Sequence, residues 1–377
     1  LEVNSGSENV FELQTDTGRV DDLSTLKIID VHKYKDKIQQ LDNQLKAKEI
    51  ASALGFQPNK IYRQGTTDYI WTNASIGRSL DINARNLNFI MTTNSSYIRE
   101  KNKEGSLPTE NEAISIAKNA IRGLRIVEDD YDYNDADAII THNIDINPDG
   151  SFSEALSPSD AELIKVDFHK KKPMITIPSN ISNSQVMVNT LNNKIGQGEE
   201  EEMLINGQKI TVNNYSTLVT YQDPRESNIS VYVGPEDRDA DILEEVYIIQ
   251  FTYWPLETVS CGTYELISPT TALERVQAGE GSLVYLNDKN GDEIEDYQSR
   301  TVKKYIIFNI NIAYYEPIGQ PTYLQPIYVI TGEAIFDNDL SGEFHIFYPA
   351  INYDLVTDKV ELPEQPTGET DESPFGV

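Results

Sequence analysis

Between Lys304 and Tyr315 the chain reads KYIIFNINIAYY, and this run restricts the fold more than any other feature. Ile306, Phe308, Ile310 and Ile312 alternate with Ile307, Asn309, Asn311 and Ala313. A period of two belongs to a strand, whose successive side chains leave on opposite faces. A helix would scatter the same residues around its circumference. A second β-like run, Thr322–Ile330, follows after a short Pro- and Gly-containing link, so the two read as a hairpin. Shorter runs of the same character recur at Tyr69–Asn73, Ser79–Asn83, Asn88–Thr93, Ile139–Ile146, Leu163–His169, Asn228–Val233, Val246–Trp254 and Glu343–Tyr348.

Three segments carry the helical period instead. Lys35–Leu54 places Ile38, Leu41, Leu45, Ala51 and Leu54 near one face, and Gly55 suits the C-terminal cap. Thr109-x-x-Glu112 has capping-box spacing, and Ala113, Ile116, Ala117, Ala120, Ile121 and Leu124 follow as an apolar stripe. Pro269–Ala278 starts after Ser268, with proline at the first helical position, and stops at Gly279. Strands follow each helix, and turn sequences such as Asn147-Pro148-Asp149-Gly150 dominate the links. The expectation is an α+β protein, strand-rich overall, built of successive units of one helix packed on antiparallel sheet. The units are expected at 1–106, 107–262 and 263–356, with a flexible acidic excursion near 192–207. The Pro- and Glu-rich stretch 357–377 reads as a disordered tail.

Charge narrows the choice of partners. There are 31 Lys and Arg against 61 Asp and Glu, a formal net charge of −30 at pH 7. Nucleic acid and anionic membrane surfaces both require clustered cations, so both are poor partners for this chain. Cys261 is the sole cysteine, which rules out a disulfide within the chain. No apolar run reaches the roughly 18 residues of a membrane helix. The start, Leu1–Gly6, lacks the layout of a signal peptide. With the acidic, Asn-, Ser-, Thr- and Tyr-rich composition, the expectation is an extracytoplasmic, cell-surface chain whose anchor lies outside it. An acidic cytosolic protein is the competing reading.

Catalytic signatures are missing from the sequence. His32, His142, His169 and His345 have no metal-site spacing, and no HExxH, CxxC, GxSxG, P-loop or dinucleotide fingerprint occurs. Ser260-Cys261-Gly262 reads as a small, half-buried thiol. The expectation is therefore a protein that is not an enzyme and has no dedicated cofactor. Calcium is the one cation the pattern admits. Asp237, Asp239 and Asp241 alternate as in a calcium loop, and Asp288, Asn290 and Asp292 do so around Gly291. An EF-hand register fails, because Ile242 and Ile248 fall where glycine and an acid belong. Tyr314, Tyr315, Tyr323 and Tyr328 cluster around the hairpin and are the candidate platform for a protein or peptide partner; ordinary cross-strand packing is the competing account. Three functions follow from these residues: a binding or regulatory module, a calcium-bridged structural or adhesive surface protein, and a hydrolase using paired carboxylates.

The last quarter carries a family likeness. TALERVQAGEGSLVYL is followed by YIIFNINIAYYEP and then PTYLQPIYVITGEA. Through Ala272, Glu274, Val276, Gly279, Tyr314, Tyr315, Tyr323, Pro326 and Tyr328, this order resembles the YycH/YycI type of extracytoplasmic bacterial regulatory proteins, which are built of PepSY-like modules. It also resembles membrane-anchored bacterial surface proteins. The resemblance implies a tethered ectodomain that binds a partner protein or restrains a sensor rather than a catalyst.

Overall fold

The structure is a computed structural model that describes residues 10–14, 26–35, 43–65, 67–126, 138–193, 196–205, 207–240, 242–257, 259–287, 302–337 and 340–352. The acidic run 128–137, the turn at 289–292 and the tail at 357–377 lie outside the described residues. The described chain alternates between two compact units. It starts in the first unit with strands β1 (Val10–Leu13) and β2 (Ile28–Lys33). It then builds most of the second: α1 (Asn43–Ala53), β3 (Arg63–Gln64), β4 (Asp68–Asn73), β5 (Arg78–Asn83), β6 (Phe89–Thr93), α2 (Ser95–Glu104), α3 (Glu110–Leu124), β7 (Ile139–Ile146), β8 (Phe152–Glu154) and β9 (Leu163–Phe168). Back in the first unit come β10 (Lys171–Pro178), α4 (Ser184–Asn192), β11 (Glu199–Ile205) and β12 (Gln208–Thr220). The second unit receives β13 (Ile229–Val233) and β14 (Val246–Phe251). The first ends with β15 (Gly262–Glu265), α5 (Pro269–Gln277), β16 (Ser282–Leu286), β17 (Val302–Tyr315), β18 (Tyr323–Phe336) and β19 (Ser341–Pro349).

The second unit is a nine-stranded sheet in the order β3-β4-β5-β6-β14-β13-β9-β7-β8, and every pairing is antiparallel. The predicted capping box starts α3: Thr109 N–H donates to Glu112 Oε2 at 2.8 Å, and Glu112 N–H to Thr109 Oγ1 at 3.4 Å. Such a cap is worth on the order of 1 kcal/mol. Ala113, Ala117, Ala120, Ile121 and Leu124 of α3 join Ile50 of α1 and Leu54 just after it in one core with Val166, Val231 and Ile249 of the sheet. On the other face Ile98 of α2 meets Leu163, Tyr232, Tyr247 and Ile248. Every residue of β9 and β13 is buried, including Lys165 and Asp167 of β9 and Ser230 of β13.

The first unit is organised by the hairpin predicted from the Lys304–Tyr315 run. β17 and β18 pair antiparallel from Val302↔Phe336 to Tyr315↔Gln325. β19 adds to β18, and β16 to β19, both antiparallel. The outer side of β17 takes two parallel partners, β1 at its start and β12 at its end. β10 and β11 flank β12, while β2 continues the sheet from β18 to β15. Gly332 is required where the two long strands approach: a Cβ there would lie 1.9 Å from Ile306 O.

The expected α+β plan of one helix per sheet unit is corrected by this architecture. Of the described residues 46% are strand and 19% helix, in two large sheets, one antiparallel and one mixed, so the fold is mostly β and not a PepSY-like helix-on-sheet repeat. The helices do not head separate sheets: α1 and α3 share one core in a single sheet unit. The compact units are discontinuous in sequence and differ from the consecutive blocks 1–106, 107–262 and 263–356. The acidic excursion near 192–207 contains an ordered strand, β11, paired with β12 over seven positions from Glu199↔Asn214 to Ile205↔Gln208. Strand pairing is a non-local choice that helix spacing along the chain does not encode.

Candidate functional site

The predicted tyrosine platform is divided by the fold. Tyr314 is fully buried, and its hydroxyl donates to Asp30 O at 2.5 Å and Pro173 O at 3.0 Å. Tyr328 is also fully buried and donates to Ile267 O at 2.6 Å. Tyr315 packs with Ile327 and Phe347. Only Tyr323, at the start of β18, is partly exposed. Burial raises the pKa of Tyr315 to about 12, and that of Tyr314 and Tyr328 well above the usual tyrosine range. Three of the four rings are therefore core.

The first calcium candidate is taken up by an internal cation. Asp237 is fully buried and Asp239 exposed, and both turn onto Lys101 of α2, at 3.2 and 2.6 Å. Asp237 also accepts from Tyr97 OH at 3.0 and 3.2 Å and from Asp239 N–H at 3.1 Å. Buried Arg78 donates to Val246 O at 3.0 Å; burial lowers its pKa, and the Asp237 charge opposes that shift. The Asp239 bond, opposed by burial and joined by Asp237, raises the Lys101 pKa. Burial and then Asp237 push Tyr97 to about 12. Asp241 and the second candidate, Asp288, Asn290 and Asp292, lie outside the described residues. Among the described residues no group of three His, Cys, Asp or Glu side chains is placed to hold a metal.

Beside the Lys101 pair opens a cavity of about 800 Å³. It is formed by the end of α2, the link Gly105–Pro108, the first turns of α3, and the segment between β13 and β14. The walls are close: a Cβ on Gly105 would come 2.7 Å from Pro235 Cβ, and one on Gly234 2.7 Å from the Tyr247 ring. Carboxylates dominate the lining, with Glu104, Glu112, Glu236, Asp239 and Glu245 against Lys101 and Arg238. Lys101 is committed to Asp237 and Asp239, and Arg238 lies 3.6 Å from Glu236. Partial burial, then repulsion from Glu236, Glu244 and Glu112, raises the pKa of Glu245. The groove therefore offers negative potential to a cationic group. Sequence reading missed it because its acids come from three separate segments: α2, α3 and the stretch between β13 and β14. The only signal was Asp237-Arg238-Asp239, read as a metal loop.

A second polar cluster occupies the same sheet. Asp167 is fully buried, accepts from Ser230 Oγ at 2.5 Å, and lies 3.2 Å from Lys165 Nζ and 3.5 Å from His142 Nε2. Burial lowers the Lys165 pKa, but Asp167, Tyr232 and Glu226 outweigh it and raise it. The serine is bonded to the aspartate rather than to the imidazole, so this arrangement lacks the nucleophile–base contact of a hydrolytic triad. Cys261 Sγ donates to Val31 O at 3.1 Å, and burial raises its thiol pKa, which opposes thiolate chemistry.

No helix of the described residues is long and apolar enough to cross a membrane. No protein-family model and no curated protein matches the chain. Among solved structures it is similar to an uncharacterized protein from Eubacterium rectale ATCC 33656, with a TM-score of 0.39 and 12% sequence identity, over 87% of this chain and 84% of that one.

Proposed function

We propose that this protein is a non-catalytic binding module of the bacterial cell envelope that captures a basic segment of a protein partner. The observation that supports this reading is the unbalanced charge of the α2–α3 groove, where Glu104, Glu112, Glu236, Asp239 and Glu245 line the cavity against Lys101 and Arg238, which pair with Glu104 and Asp239 and with Glu236. A lysine or arginine entering there would relieve the repulsion that raises the Glu245 pKa. The −30 net charge adds long-range attraction for such a partner and speeds encounter.

Calorimetric titration with oligolysine tests it. Binding should weaken steeply with salt, and the combined variant Glu104→Gln, Glu236→Gln, Glu245→Gln should weaken it by on the order of ten-fold. Equal affinity of the variant and the parent protein would sink the groove as the site.

A further inference from the structure

Edge strands expose unpaired backbone groups, and proteins usually blunt them with charge, proline, bulges or brevity. Most edges here follow that rule. β3 has two residues and β8 three. β11 carries Glu199–Glu202 along its length, and the β16 ladder is interrupted between Leu283 and Tyr285. The first half of β7 has none of these devices. β8 covers the outer side of β7 only from Asn143 onward, where Ala155 N–H donates to Asn143 O at 2.8 Å. Ile139–His142 pairs with β9 in unbroken register.

Hydrogen-bond parity shows which groups point outward. His169 N–H donates to Ala138 O at 2.8 Å, so even-numbered residues of β7 face β9 and odd-numbered ones face outward. The Asn143 bond to β8 fits the same parity. Ile139 and Thr141 therefore turn N–H and C=O groups to the outer edge, without a backbone partner among the described residues. The sequence there, Ile-Ile-Thr, is β-branched and favours extended backbone.

We propose that the outer edge of Ile139–His142 accepts an extended, lysine- or arginine-bearing segment of a protein partner as an added antiparallel strand. This deepens the basic-partner reading above and rests on it. Charge selects the occupant. Thr141 Oγ donates to Glu110 Oε1 at 2.5 Å on the α3 face, and Glu154 lies 3.6 Å from His142 Nδ1 on the opposite face. Two adjacent basic residues of an added strand would point to opposite faces, one toward Glu110 and the other toward Glu154. A second copy of this chain would instead set the same carboxylates against each other. Glu110 and Glu112 both sit in the first turn of α3, so the edge and the groove flank one helix start.

The test uses the whole protein and a synthetic valine-rich peptide carrying pairs of adjacent lysines, with a counterpart N-methylated at every second residue so that it cannot complete a ladder. The parent peptide should slow amide exchange at Ile139 and Thr141 by at least about ten-fold, and the N-methylated one should not. Thr141→Pro removes one outward donor and leaves the ladder to β9 intact, because the Thr141 N–H points away from β9. It should weaken the parent peptide by on the order of ten-fold. The exchange measurement on the unmodified protein stands even if the proline variant folds poorly. A peptide that binds while both amides keep their free exchange rate overturns the edge proposal and leaves the basic-partner reading intact. If neither this peptide nor oligolysine binds, both fall.

Discussion

Lys101 Nζ lies 3.2 Å from the carboxylate of Asp237, which is fully buried in the wall of the acidic groove. This contact converts an apparent cation loop into a structural ion pair. It ties α2 to the segment between β13 and β14, and both elements frame the cavity.

Removing the lysine leaves Asp237 buried with Tyr97 as its remaining close side-chain donor. Lys101→Ala should lower stability by about 3 kcal/mol, the usual cost of stranding one member of a buried pair. Asp237→Ala should cost a similar amount, and the double variant less than the sum. Urea unfolding of the three variants gives the coupling directly. Additive losses would show that the two residues act independently.

Tyr314 is predicted to stabilise the fold rather than capture a partner. Tyr314→Phe leaves the carbonyls of Asp30 and Pro173 without this donor and should cost about 1–3 kcal/mol. Tyr314→Ser also opens a cavity and should cost on the order of 3–5 kcal/mol. Thermal unfolding distinguishes this from a surface role, in which the melting temperature would stay unchanged.

Gly332→Ala places a methyl group against the Ile306 carbonyl in the middle of the long hairpin. The β17–β18 ladder must shift locally, at an expected cost of about 3 kcal/mol. Gly319→Ala, whose Cβ would meet nothing within 4 Å, serves as the control and should be close to neutral. Denaturant midpoints of the two variants should therefore separate clearly.

Alkaline pH should unfold the protein cooperatively. Tyr97, Tyr232, Tyr305 and Tyr315 are all raised to about 12, and burial leads in each. An unfolded tyrosine ionises near 10, so above that pH the unfolded chain releases protons that the folded chain retains. Stability is thus full below about pH 10 and declines as pH rises toward 12. Lys101, raised by its carboxylates, acts in the same direction. Tyrosinate absorbance and circular dichroism should change together in this range. Gradual tyrosine ionisation with the fold retained would contradict the prediction.

Local structure was largely legible in the residues. Thr109 and Glu112 announced the start of α3, Ser268 and Pro269 that of α5, and the alternation through Ile306–Ala313 announced β17. Helix α2 was not legible: its polar sequence SSYIREKNKE buries only Ile98 and Lys101, too few residues to write a stripe. β11 was hidden for a related reason. Its glutamates look like solvated loop, and the strand exists because β12 offers it a ladder.

The sequence by itself determined the strand and helix periods, the caps, the turns and the acidic charge, because each depends on neighbours within a few residues. Only the tertiary structure decided which strands share a sheet, that Tyr314 and Tyr328 point inward, and that Asp237 meets Lys101 across 136 positions of chain. The physical reason is range. Capping and periodicity are satisfied locally, whereas ladder hydrogen bonds, buried hydroxyls and buried charges must find partners wherever the fold brings them. The groove and the outer edge of β7 belong to this second class: their acids and outward backbone groups become a surface only once the antiparallel sheet of the second unit has assembled.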